Sequence, residues 1–179
     1  MNSPTSMLSE EHQNILKVVN ALIHESGKLE TDGKINKDFF LKAIDFIETY
    51  ADKFHHAKEE NILFKELIEN EQMHCNPIPQ MLHEHETGRN YVSGMKRALK
   101  ENNTRGLIEN SRGYAYLLQD HIYKEDNILY PMADEALDEE TQASILIKFQ
   151  QVEESNSFKG INERYLLIAD ELSEFERAH

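Results

Sequence analysis

The segment His55–Phe64 reads HHAKEENILF, and the segment His121–Tyr130 reads HIYKEDNILY. The two segments align without a gap, with six of ten positions identical and two more conservatively replaced. A second match lies upstream of each segment, because Glu11-His12 precedes the first and Glu84-His85 precedes the second. The chain is therefore predicted to contain two related helical hairpins, each built around one copy of the repeat.

Each copy of the repeat contains a histidine followed four positions later by a glutamate. Residues four apart lie on one face of an α-helix, so His55 and Glu59 form a pair of potential metal ligands. His121 and Glu125 form the equivalent pair in the second copy. Apolar residues at helical spacing flank both pairs, which predicts that both face the interior of the protein.

Each hairpin also offers one histidine on its first helix. His12 and His85 both lie between apolar residues at helical spacing, so they are predicted to point inward as well. Within each hairpin the two histidines lie at matched distances from the turn, which brings them to the same level along the helices. Because the repeat aligns His56 with Ile122, His55 is the predicted inward member of the adjacent pair. Four imidazoles and two carboxylates are expected to converge.

The rest of the chain is read as further amphipathic helices. No segment shows sustained two-residue alternation, so the protein is predicted to be all-α. Four long helices with short connections predict an up-down-up-down four-helix bundle over residues 1–137. Residues 138–179 are predicted to form a C-terminal helical extension, packed on the bundle or in an oligomer contact. The predicted helices run from about Ser6 to Ser26, from Asn36 past Glu69, from Pro77 to Asn102, from Thr104 to near Pro131, and from Glu139 to Glu176 with a division at Gly160.

Composition narrows the class of protein. The 19 Lys and Arg residues against 33 Asp and Glu residues give a net charge of −14, which disfavours a nucleic-acid or membrane partner. No apolar run approaches the ~18 residues of a membrane span, and Met1–Glu10 lacks the features of a secretory signal. The single cysteine, Cys75, excludes an internal disulfide and fits a reducing compartment. A cytoplasmic location is therefore predicted.

Six polar groups pointing into one layer of a bundle need a compensating charge. Burying an unpaired ion costs several kcal/mol, a large share of the roughly 5–15 kcal/mol of net stability of a domain. A metal supplies that charge, and two opposed glutamates can each bridge two metals. The set is richer in nitrogen than a ferritin-like site, which argues against an iron store. The predicted metal ligands are His12, His55, Glu59, His85, His121 and Glu125.

The remaining polar candidates are given structural interpretations. Glu60 is assigned to a solvated acidic face and Cys75 is predicted to be inert. Three tyrosines, Tyr50, Tyr114 and Tyr123, are candidate hydrogen-bond donors near the site, with core packing favoured for Tyr114. The histidines predicted to lie at the surface are His24, His56, His74, His83 and His179.

The quoted residues resemble the hemerythrin-like family, also called the HHE cation-binding domain. The resemblance rests on Glu11-His12, on Glu84-His85 with Gly88-Arg89, and on both copies of the repeat, and it covers about Leu8 to Pro131. It implies a four-helix bundle that holds two iron ions, joined by an oxide or by carboxylates, and binds O2, NO or peroxide. It also implies the same six ligands.

The sequence departs from the oxygen-carrying members of that family on the third helix. Those members carry His-x-x-x-His, whereas His85 has Met81 before it and Arg89 after it. One expected histidine is missing, which argues against reversible oxygen carriage. Asp126 fits the His-x-x-x-x-Asp spacing of the oxygen carriers, but the repeat favours Glu125, so the role of Asp126 stays open.

Three functions follow as hypotheses. The leading one is a non-haem di-iron protein that binds or senses O2, NO or peroxide. The second is a di-iron enzyme that acts on peroxide or supplies iron for iron-sulfur cluster repair. The third is a metal-stapled helical interaction module whose C-terminal tail docks a partner. A homo-oligomer formed through the C-terminal helix is a separate expectation. The sequence leaves open the redox partner, the physiological ligand and the choice between iron and other metals.

Overall fold

A computed structural model describes residues 3–73 and 76–177, except for the side chains of residues 175–177. These residues form helices and no β-strand, which confirms the all-α prediction for the described part of the chain. None of the helices within it is long and apolar enough to cross a membrane. We number the helices α1 (Pro4–Asp32), α2 (37–68), α3 (Ile78–Glu101), α4 (104–136), α5 (Glu139–Glu154) and α6 (Ile161–Arg177).

Polar side chains cap the helix starts. The side chain of Asn36 accepts a hydrogen bond from the backbone N–H of Phe39, as predicted for the start of α2, and Asn103 does the same at the start of α4. The predicted end of α1 at Ser26 is wrong. The helix continues to Asp32 because Leu29 still contributes a buried side chain, and it stops at Gly33, whose φ of 68° suits glycine.

Two of the helices contain π-helical segments. In α2 these are Ile47–His56 and Glu59–Leu63, and in α4 the segment is Glu125–Leu129. Such wider turns are rare and frequently mark functional sites. Pro131 follows the segment in α4, and the helix continues through it to Ala136. Three of the predicted ligands therefore lie on locally widened turns.

The buried apolar residues form two clusters, one on each side of a polar layer. The larger cluster is built from α1, α2, α3, α4 and α6 and includes Ile15, Phe54 and Ile122. The smaller one includes Leu8, Leu63 and Leu129, together with residues of α5. The predicted ligands lie between these two sets on the same helices, so apolar packing encloses the polar layer from both ends.

The last two helices contribute to both clusters. Ile145 and Phe149 of α5 belong to the smaller cluster, and Tyr165 and Leu172 of α6 belong to the larger one. At the edge of this contact, Lys17 of α1 pairs with Asp170 at 2.7 Å. Helices α5 and α6 thus bury apolar side chains against helices that carry the predicted site.

Candidate metal centre

The structure brings all six predicted ligands together in the polar layer, and each is at least 98% buried. Their ligand atoms form two overlapping groups, and within each group these atoms lie within 4.8 Å of one another. Glu59 belongs to both groups. The first group is His12, His55, Glu59 and Glu125, and the second is His56, Glu59, His85 and His121.

The two inner glutamates each reach imidazoles of both groups. The carboxylate oxygens of Glu125 lie 3.3 Å from Nε2 of His12 and 3.2 Å from Nε2 of His121. Glu59 Oε2 lies 3.7 Å from Nε2 of His55 and 3.5 Å from Nε2 of His85. Each carboxylate therefore spans the two groups, and all four imidazoles turn Nε2 toward the centre.

A second ring of carboxylates fixes those imidazoles from behind. Each Nδ1–H donates to a carboxylate at 2.8–2.9 Å, which leaves the lone pair of Nε2 for a metal. These hydrogen bonds follow the internal repeat, since each carboxylate has an equivalent in the other hairpin. The pairs are Glu11 with His55, Glu84 with His121, Asp126 with His12, and Glu60 with His85.

Two lysines neutralise part of this outer ring. Lys58 donates to Glu11, and Lys124, its counterpart in the repeat, donates to Glu84. The two environments differ, because Lys58 is fully buried whereas the side chain of Lys124 is 33% exposed. Glu153 of α5 lies 3.3 Å from Nζ of Lys58, so α5 covers one lysine of the pair.

Neighbouring charges and burial shift the pKa values of the histidines in the polar layer. Burial would lower the pKa of His12, but hydrogen bonds to Asp126 and Glu125 raise it to about 9. Burial acts the same way on His121, and the charge and hydrogen bond of Glu125 raise its pKa to about 10. Burial lowers the pKa of His55 to about 4. Two imidazolium ions therefore flank Glu125 where a metal centre would supply positive charge.

The donor set fits a metal centre. Within the described part of the chain, Nε2 of His55 and Oε2 of Glu59 are buried without a hydrogen-bond partner. Such atoms cost free energy when they remain unpaired, and here they face one another around a common space. Imidazole nitrogen and carboxylate oxygen together suit iron and other first-row transition metals. The cluster can therefore hold metal cations.

The prediction that His56 lies at the surface is wrong. It is 5% exposed, and its ring stacks on His85 at 3.9 Å between centroids and 14° between planes. The wide turns of the π segment explain this, since successive side chains there are separated by a smaller angle than in an α-helix. His56 enters the layer beside His55, at the position that Ile122 occupies in the other copy.

Glu60 also differs from the prediction. It accepts hydrogen bonds from His85 and from Arg89, so it belongs to the outer carboxylate ring and not to a solvated face. The repeated Glu-His dipeptides, Glu11-His12 and Glu84-His85, were the sequence signal for this ring. Asp126 lies behind His12, on the Nδ1 side of its ring, and belongs to neither ligand group.

The other candidates lie at varied positions. His83 is exposed and His24 is half-buried, while His74, Cys75 and His179 lie outside the described residues. Tyr123 is 65% exposed, so it does not serve the site. The tyrosine that does was missed: Tyr130 donates to Glu59 at 2.6 Å and stacks on His12.

Comparison with known proteins gives a consistent assignment. No match was found among curated proteins or among solved structures. The family model described as the hemerythrin HHE cation binding domain matches residues 3–133, which include all six predicted ligands and the carboxylates behind them. The chain thus belongs to the hemerythrin HHE cation-binding domain family.

Proposed function

We propose that the protein holds two iron ions and uses them to bind or sense O2, NO or peroxide. In this proposal His12 and His55 serve one ion, His85 and His121 serve the other, and Glu59 and Glu125 bridge the two. The observation that carries it is the spanning position of Glu125, whose two oxygens each lie within 3.3 Å of an imidazole Nε2 from a different pair.

The number of protein donors available to each ion favours a reactive centre. Two imidazoles and two shared carboxylates give each ion four protein donors, fewer than the six that iron commonly accepts. Bound iron would supply redox and Lewis-acid chemistry at the remaining positions. The outer carboxylates hold the Nδ1 protons in place, so the chain keeps the imidazoles oriented and basic while a ligand exchanges at the centre.

The architecture proposed with this function is an up-down-up-down bundle of α1 to α4 over residues 1–137. Residues 138–179 form the C-terminal segment beside it, and its exposed faces are the proposed oligomer contact. A cytoplasmic location, with a small diatomic molecule or peroxide as the partner and no nucleic acid or membrane, completes the proposal. The net charge of −14 supports the exclusion of polyanionic partners.

The test is metal content per chain after expression with ample iron, together with the absorption spectrum in air. Two irons per chain with near-ultraviolet bands of a bridged centre are expected. His85→Ala is expected to lose at least one of the two irons. His83→Ala is the matched control, because His83 is exposed on the same helix two positions away. One zinc per chain, or no metal, would overturn the proposal.

An enzymatic role is the second candidate, and a cavity favours it. A pocket of about 190 Å³ reaches His85 and His121 from the protein surface, as turnover of a small substrate requires. Peroxide consumption by the iron-loaded protein tests this role. Consumption that disappears in a folded Glu125→Ala variant would support the enzyme, and unchanged consumption would eliminate it.

A further inference from the structure

Arg89 of α3 binds two carboxylates of α2 that flank His56 in the sequence. Its Nε donates to Asp52 at 2.9 Å, and one of its terminal nitrogens donates to Glu60 at 2.5 Å. Asp52 lies four residues before His56, and Glu60 lies four residues after it. The three charged side chains are only 24–35% exposed, so solvent and salt screen these ion pairs less than fully exposed ones.

Glu60 connects this ion cluster to the predicted metal ligand His85. Its Oε1 accepts the hydrogen bond from Arg89 and also the one from Nδ1 of His85, the latter at 2.8 Å. Burial would raise the pKa of Glu60, but the hydrogen bonds from His85 and Arg89 lower it, so Glu60 is a carboxylate at neutral pH. One carboxylate oxygen is therefore shared between a ligand imidazole and a guanidinium.

The internal repeat places apolar residues opposite most of this cluster. The pairs are Leu16 with Arg89, Leu118 with Asp52, and Ile122 with His56. Glu60 does have an acidic counterpart, Asp126, which accepts from the hydroxyl of Ser9 besides His12. Within the described residues no lysine or arginine pairs with Asp126. The guanidinium therefore distinguishes Glu60 from its counterpart.

The lysines of the outer ring are present in both halves of the centre. Lys58 and Lys124 occupy equivalent positions in the repeat and donate to equivalent carboxylates, Glu11 and Glu84. Arg89 instead adds a cation to one half only, the one that contains His85 and His121.

The guanidinium changes how Glu60 acts on His85. A carboxylate behind a metal-bound imidazole increases the electron donation of that imidazole to the metal. A cation on the same carboxylate oxygen opposes this increase, because it attracts the negative charge of that oxygen. A fixed positive charge near an ion also disfavours the higher oxidation state of that ion. Both effects make the adjacent ion easier to reduce.

We infer that Arg89 is a positioning residue that raises the reduction potential of the iron held by His85 and His121. It holds Glu60 against Nδ1 of His85 and partly neutralises that carboxylate. A guanidinium has no free lone pair for a metal, so Arg89 acts through Glu60 and not as a ligand. The inference rests on the proposed di-iron centre, and it gives a residue outside the six predicted ligands a role in the redox chemistry of that centre.

The test is the reduction potential of iron-loaded protein, titrated with dithionite without oxygen and followed by absorption beside a redox dye. Arg89→Met is expected to lower the potential, because Glu60 then increases donation from His85. Glu60→Gln is expected to raise it, since a neutral amide replaces the carboxylate. Arg89→Lys should lie between wild type and Arg89→Met, because lysine keeps the charge but lacks the planar fork that binds both carboxylates.

Arg112→Met is the matched control. The Arg112 side chain is 30% exposed and pairs with Glu30, and it lies nine residues before His121 on α4. Nine residues correspond to roughly 13 Å along the helix, so this variant should keep the wild-type potential.

A double variant separates the path through Glu60 from a direct effect of the arginine charge. Arg89→Met should shift the potential much less in the Glu60→Gln protein than in wild type. Equal shifts in the two backgrounds would overturn the positioning role.

Iron per chain and thermal unfolding are measured on every variant, so that potentials are compared between folded proteins with two irons. If Arg89→Met does not retain its iron, Arg89→Lys is compared in the two backgrounds instead. The wild-type potential in Arg89→Met and Arg89→Lys, each with two irons, would overturn the role of Arg89 alone. A wild-type chain that takes up no iron would overturn the proposed function and this inference together.

Discussion

Tyr130 donates a 2.6 Å hydrogen bond to Glu59, and this contact breaks the symmetry of the repeat. Its counterpart in the other copy is Phe64, which stacks on His85 as Tyr130 stacks on His12 but has no hydroxyl. One inner glutamate is thus held by a tyrosine, and the other is not. Together with His56 and the cavity, this contact makes the two halves of the centre chemically unequal.

Tyr130→Phe is expected to destabilise the metal-free protein by about 1–3 kcal/mol, because it leaves a buried carboxylate oxygen of Glu59 without its donor. Denaturant unfolding followed by circular dichroism measures this change. Tyr116→Phe serves as the control, since Tyr116 is 53% exposed. Equal unfolding free energies for the two variants would contradict the expected role of the hydroxyl.

Lys58→Met is expected to destabilise the protein by about 3–5 kcal/mol, because it leaves Glu11 buried without its cation. Lys124→Met removes the equivalent lysine, which is partly exposed, so its effect should be clearly smaller. The two unfolding free energies are compared under identical conditions. A larger loss in Lys124→Met would show that burial does not govern these pairs.

Metal-free protein is expected to lose stability as the pH rises above about 6.5. His12 and His121 have folded pKa values of about 9 and about 10, above their unfolded values, so their contribution is complete below pH 6.5 and disappears as the pH passes those values. Because each unit of pKa shift corresponds to about 1.4 kcal/mol, the loss of unfolding free energy should be several kcal/mol. His55, with its pKa lowered to about 4, acts oppositely and destabilises the fold below pH 6.5.

The metal-loaded protein should lack the alkaline part of this trend, because metal-bound imidazoles carry no titrating proton at Nε2. Thermal unfolding of both forms between pH 6 and 10 distinguishes them. A metal-free form that is equally stable at pH 6.5 and 10 would contradict the paired imidazolium ions.

His56→Ile introduces the residue that the other copy of the repeat carries at this position. The His56 ring stacks nearly parallel on the His85 ring at 3.9 Å, so the two rings in this arrangement cannot both direct an in-plane lone pair at one ion, and the variant is expected to retain both metals. Metal analysis of purified protein provides the measurement, with His85→Ala as the variant expected to lose metal. Loss of one metal per chain from His56→Ile would make His56 a ligand.

Much of the site could be predicted because the internal repeat contains the same His-x-x-x-Glu spacing twice. The spacing of His55 and Glu59, seen again in His121 and Glu125, identified inward pairs that the structure brings together. The position of His56 could not be predicted in this way, since regular α-helical geometry turns it away from His55. Both histidines enter the polar layer because this segment is π-helical, and its residue types do not predict a π-helix.

The outer carboxylates were harder to identify for a different reason. Glu60 and Asp126 sit beside ligands on the same helices, where an acidic side chain is ordinarily solvated. Their partners, His85 and His12, lie on other helices, so these contacts depend on how the two hairpins pack together. Helix α1 is also longer than predicted because of tertiary packing. Burial of the Leu29 side chain outweighs the helix end that the sequence suggests at Ser26.

The contact of Glu153 with Lys58 links a residue outside the matched family domain to the predicted metal ligands. Glu153 lies beyond residues 3–133, yet through Lys58 and Glu11 it is linked to the Nδ1 proton of His55. A charge change at position 153 would alter the electron donation of His55 without touching any ligand. If the layer holds two metals as proposed, the C-terminal segment would allow the ion beside His55 to be tuned separately from the other.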